Sequence, residues 1–170
     1  MAGHLKRNLA IGLLGGLAGV AAMDGYWKGL GRAKPEWTHT DEEPSTHKLV
    51  RKTLGKAGVR SPSSSIRKRG GKAVHWGYGA MWGMIAGASR AGGVPLTWGG
   101  GLPLGAGLWA LSDEYMLSKL DLAKPPREYP PRTHAASLGA HLAYGLGLWA
   151  AMKMLGGGGE ERRRFLRRVA

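Results

Sequence analysis

Four long stretches of this chain are apolar, and the charged residues lie between them. Residues 9–23, 73–89 and 95–112 contain no Asp or Glu, and their Lys and Arg residues sit only at the edges. A fourth stretch, 134–155, begins after a proline-rich bend, Pro125 to Pro131. Each is about the length that crosses a bilayer as a helix, roughly 20 residues. The pattern predicts spans at about 8–29, 73–92, 96–117 and 134–155. A basic loop, 31–72, and a basic tail, 156–170, complete the chain.

The connections sharpen the topology. Gly92-Gly93-Val94-Pro95 is too short for anything but an antiparallel hairpin. Gly99-Gly100-Gly101 and Pro103 weaken the first half of the third span and kink it. The run Gly156 to Gly159 is expected to end the fourth. Within the basic loop, 45–58 places Leu49, Val50, Leu54 and Ala57 on one face, with Lys48, Arg51, Lys52 and Lys56 elsewhere. That pattern suits a helix in the head-group plane, and equally a solvated basic loop. Residues 60–72 read as a flexible linker. The fold class is therefore all-α: a polytopic membrane protein forming an antiparallel four-helix transmembrane bundle, with short interfacial helices, in one domain over 1–170.

The first span also has the layout of a signal peptide, with a basic start, an apolar middle and small residues at Val20-Ala21-Ala22. A retained helix is the preferred reading, because the apolar face continues past Asp24 to Tyr26, Trp27 and Leu30.

Composition changes this picture in two places. The mean hydropathy is only −0.23, a value that averages over segregated charge. Residues 28–72 alone hold 12 of the 25 Lys and Arg. Thirty glycines are costly in water-exposed helices but common where membrane helices approach closely. Gly79, Gly83 and Gly87 recur every four residues and form a contact face for another helix. Gly145 is a further packing candidate. The absence of Cys rules out disulfides and Cys-based metal sites.

The net charge of +14 admits nucleic acid or anionic lipid as partner. No reading motif or aromatic interleaving accompanies the basic runs, and a nucleic-acid binder leaves four apolar stretches unexplained. Lipid is the expected partner. Arg51, Lys52, Arg163, Arg164 and Arg167 are head-group candidates, the last three on a basic tail that reads as a surface helix or a solvated tail. Another membrane subunit, or a second copy of the chain, is the further expected partner. The connection side carries 16 Lys and Arg and the terminal side nine, which leans towards cytoplasmic connections.

An internal repeat runs through the chain. His75-x-x-Tyr78-Gly79 matches His141-x-x-Tyr144-Gly145, and Gly16 to Asp24 and Tyr26 lines up with Gly105 to Asp113 and Tyr115. Two hairpins of equal sense, or chance likeness in a Gly/Ala-rich chain, both account for it. Either way, four antiparallel spans gather Asp24, His75, Asp113, Glu114 and His134 at one interface, with His141 about two turns deeper. As chemistry these residues form a proton relay; as structure they cap helix ends and bond across helices. The helical rise separates His134 from His141 by roughly 10 Å, so one ion takes both only if other elements bend in. A site mixing His75, Asp113, Glu114 and His141 stays open, and no metal or cofactor is assigned. No nucleophile set stands out, and Gly77-x-Gly79 and Gly105-x-Gly107 lack the preceding strand of a dinucleotide loop.

At His75-x-x-Tyr78-Gly79, at Asp113-Glu114, and from Glu128-Tyr-Pro-x-Arg132-Thr-His134 to His141-Leu-x-Tyr144-Gly145, the chain resembles the YagU-like family of small bacterial inner-membrane proteins. The likeness covers all four spans and is weakest in the basic loop. It implies a multi-pass protein of the bacterial inner membrane linked to acid-stress tolerance, and supplies no catalytic residues. The expectation is a non-enzymatic structural or accessory protein; the alternative is a proton-linked transporter, channel or pH sensor.

Overall fold

The structure, a computed structural model, describes residues 2–38 and 42–169, with the side chains of 2, 91 and 157–169 left aside. The chain is all-α: 83% is helical, and there is no strand among the described residues. Helix α1 (Ala2–Ala33) contains the whole first apolar stretch. After it come the single turn α2 (Pro35–Thr38) and then α3 (Ser45–Lys56), on the segment where an amphipathic helix was expected.

Helix α4 (Ser64–Ala91) starts well before the second apolar stretch. The flexible linker expected over 60–72 is therefore corrected: most of it is helix. The Ser63 hydroxyl accepts the Ile66 N–H at 3.3 Å, satisfying one of the otherwise orphaned first-turn donors. Arg and Lys, which fill this segment, are good helix formers. At the other end Gly93 turns the chain with φ +84°.

The third stretch is not one continuous span. Gly99, Gly100 and Gly101 all take positive φ, +60°, +72° and +76°, a conformation that non-glycine residues seldom adopt. They form a 3-10 turn, Trp98–Gly101, ahead of α5 (Leu102–Trp109). A π-helical segment, Ala110–Met116, and the short α6 (Leu117–Lys119) follow. The proline bend holds one 3-10 turn, Pro126–Glu128, and leads into α7 (Pro131–Val169). The glycine run at 156–159 does not end this helix as expected, because glycine tolerates helical dihedrals at an entropic cost.

Among the described residues, one helix, Gly3–Ala33, is long and apolar enough to cross a membrane. This corrects the expectation that four stretches each meet that measure. Helix α4 is diluted by His75, Trp76, Tyr78 and its glycines, α5 is only eight residues long, and α7 carries His134 and His141.

Helix α1 packs against both α4 and α7, and α5 packs against α7. The α1–α4 seam is built from backbone. A methyl group on Gly16 would lie 2.5 Å from the Gly79 carbonyl oxygen, and one on Gly83 would lie 2.6 Å from the Gly16 Cα. Gly87 meets the Asn8 carbonyl. The ridge at Gly79, Gly83 and Gly87 is thus covered by α1 of the same chain. Gly145 belongs to a second seam, where α7 meets Gly101 and Gly105. Val20, Tyr144, Leu148 and Met152 fill the core between α1 and α7.

Candidate functional site

The polar residues of the apolar helices collect at one end of the bundle, where α1 finishes, α4 and α7 are near their starts, and the π segment ends the third stretch. Asp24 and His75 pair directly, with His75 Nε2 donating to Asp24 Oδ1 at 3.2 Å. Three residues on, one turn along α4, the Tyr78 hydroxyl shares a 2.9 Å hydrogen bond with Ser112. Ser112 neighbours Asp113, so His75 and Asp113 belong to the same end of the molecule.

Asp113 and Glu114 leave the chain from the π segment. A π turn is wider than an α turn, which changes the direction in which its side chains point, and such turns often mark functional sites. Asp113 accepts a short hydrogen bond from the Ser137 hydroxyl. Its Oδ2 lies 3.9 Å from Nδ1 of His141, and that same nitrogen donates to the Ser137 carbonyl at 3.0 Å. Glu114 accepts from His134 Nδ1 at 2.6 Å, and His134 Nε2 donates to the Pro126 carbonyl at 3.1 Å.

The repeat seen in the sequence has a counterpart here. Asp24 meets His75 in the first hairpin, and Asp113 approaches His141 in the second, one turn out of step. Gly79 sits against Val20 and Gly16, whereas Gly145 sits against Gly101 and Gly105, the counterparts of Gly12 and Gly16. The slip brings Ser137, one turn before His141, onto the carboxylate. Each tyrosine of the repeated motif reaches into the other hairpin: Tyr78 to Ser112, and Tyr144 to the Gly79 carbonyl at 2.7 Å.

A cavity of about 490 Å³ lies over this end. Asp113, Glu114, His134 and Ser137 line its inner side. Trp27, Trp37, Leu122, Tyr129 and the proline bend line the rest of it, and it is open to solvent on one side. Its outer wall is tied together by charge. Glu42 pairs with Lys124 at 2.8 Å and accepts from the Tyr129 hydroxyl at 3.0 Å. The Lys124 ammonium holds the Glu42 carboxyl below the usual carboxylate range, and Glu42 in turn raises Lys124. Partial burial pushes the Tyr129 phenol up. Beyond Tyr144 the interior is apolar, with Leu148, Val20, Met152 and Ile11 buried in sequence.

The head-group candidates divide. Arg51 bonds Glu43 at 3.2 Å. Lys52 holds Asp121, lowering its carboxyl, together with the carbonyls of Leu120 and Asp121. The side chains of Arg163, Arg164 and Arg167 lie outside those described. No group of three or more His, Asp or Glu among the described residues is arranged to hold a metal ion.

The sequence reading missed Ser137, which shares a helical face with His134 and His141 at spacings of three and four. That spacing was visible in the sequence. It also missed Glu42, whose link to Tyr129 spans 87 residues and left no local mark. Neither family models, nor curated proteins, nor solved structures give a match to this chain.

Proposed function

We propose that this chain is a multi-pass protein of the bacterial inner membrane with a non-enzymatic, structural or accessory role, its four apolar stretches lying in lipid. One observation carries the reading: large apolar side chains stand on the outer faces of helices whose α1–α4 and α5–α7 seams are lined by glycine. Leu13, Leu14, Met81, Met84, Ile85, Leu111 and Leu146 are exposed on the helices. The seams behind them are glycine against backbone. A contiguous exposed apolar patch marks a membrane or protein contact. Close backbone packing through small residues is how helices associate in lipid, where burying large apolar groups brings no advantage. The bacterial location and the link to acid stress rest on the YagU-like resemblance. Because α1 already covers the Gly79, Gly83 and Gly87 ridge, a partner subunit or second copy would meet the outer faces.

The alternative, a proton-linked transporter, channel or sensor, draws on the pairing of Asp24 with His75 and the approach of Asp113 to His141. The apolar core beyond Tyr144 weighs against a conduit through the bundle. The two readings separate in liposomes carrying a pH gradient. The accessory reading expects background proton leak from the native chain and from a His141→Ala, Asp113→Asn double variant alike. Native leak above background that the double variant abolishes would overturn it.

A further inference from the structure

His134 is held at both ring nitrogens, and both partners are acceptors: the Glu114 carboxylate at 2.6 Å and the Pro126 carbonyl at 3.1 Å. A neutral imidazole has a single N–H, so only the doubly protonated ring satisfies both contacts. The contacts join three separate elements, namely the π segment, the proline bend and the first turn of α7. All three residues line the cavity. Tyr129 of the bend also lies edge-on to the His134 ring, with centroids 6.5 Å apart.

We propose that the imidazolium of His134 is a latch that holds the proline bend against the cavity, and that losing one proton releases the bend and widens the cavity's opening, exposing its buried wall at Leu122 to water. The remaining N–H stays on the carboxylate, since a hydrogen bond to a charged acceptor is the stronger one. The deprotonated Nε2 then presents a lone pair to the Pro126 carbonyl, and the attraction there becomes repulsion. Among the described residues, the other ionisable groups at the cavity are Asp113 beside Glu114, Lys124, Glu128 and Tyr129 in the bend, Arg132 on α7, and Glu36, Glu42 and Glu43 from the segment before α3. Glu42 is taken up by Lys124 and Tyr129, and Glu43 by Arg51 and Arg67. Glu114 is the carboxylate in contact with the His134 ring, and among the described residues His134 is the group lining the cavity whose ordinary titration falls near neutrality. The latch does not depend on whether the four stretches lie in lipid.

The chain has no cysteine, so an introduced one is the sole thiol. Leu122 is buried on the cavity wall, and Val59 is exposed elsewhere. The rate at which a water-soluble maleimide labels Leu122→Cys, divided by its rate at Val59→Cys, removes the ionisation common to both thiols, and the same ratio in the His134→Arg background removes the part that burial adds at residue 122. The latch predicts that this ratio climbs about tenfold between about pH 5 and about pH 9, across the ordinary imidazole titration. With His134→Arg, which keeps its charge, the ratio stays low throughout; with His134→Ala it is high throughout. Should Leu122→Cys disturb the fold, Ala123→Cys on the same wall gives the reading, and the pH profile with native His134 decides alone if the His134 variants do not fold. A flat profile with His134 in place, or an Arg variant that titrates as histidine does, overturns the latch.

Discussion

Replacing Gly83 by alanine should destabilise the bundle by roughly 1–3 kcal/mol, the usual cost of forcing extra carbon into a filled site. Replacing it by leucine should prevent α1 and α4 from docking. The added methyl would meet the Gly12 carbonyl and come 2.6 Å from the Gly16 Cα, and neither can rotate aside as a side chain would. The whole helix has to move, and that separates Gly16 from Gly79 and Gly87 from Asn8 as well. Gly77, on the same helix with nothing near its missing Cβ, supplies the control. Gly77→Ala should be neutral or stabilising by about 0.5–1 kcal/mol, the helix preference of alanine over glycine. Unfolding in detergent, followed by circular dichroism, measures all three.

Leu14→Lys separates lipid from water as the surroundings of the bundle. Leu14 lies mid-way along α1 and is 52% exposed. On a water-facing helix such a change is nearly silent, within about 0.5 kcal/mol. At the centre of a membrane span a lysine costs about 2.5–3.5 kcal/mol of insertion free energy. The expected result is a large fall in the membrane-inserted fraction for Leu14→Lys and none for Leu14→Ala, read by high-salt and alkaline extraction of membranes. Equal recovery of the lysine variant and the native chain would place α1 in water.

Much of this was legible in the amino-acid pattern, and the omissions have physical causes. The i, i+4 glycine ridge on α4 was visible because a repeat of small residues leaves no other use for a helix face. The gathering of Asp24, His75, Asp113 and His134 at one end followed from antiparallel connectivity alone. The start of α4 was hidden, because a run of Arg and Lys reads equally as linker or as helix until its Ser63 cap is placed. The π segment was hidden because the helix leading into it, α5, is apolar or small on every face, leaving no polar stripe whose drift would betray a wider turn. The one-turn slip between hairpins, and with it the choice of Ser137 as partner of Asp113, comes from packing between seams and has no local signature. Among the described residues, helix length and hydropathy together single out only α1: glycine, histidine, tryptophan and tyrosine dilute α4 and α7, and α5 is too short.

Lipid exposure of the outer helix faces is the claim on which the proposed function depends, and single cysteines placed at Leu14, Ile85, Leu111 and Leu146 test it most directly. In membrane fragments open on both faces these four thiols should resist a membrane-impermeant maleimide and react only after detergent extraction, while a cysteine at Val59 reacts in both. Rapid labelling of all four in those fragments, at the rate seen for Val59, would contradict the account.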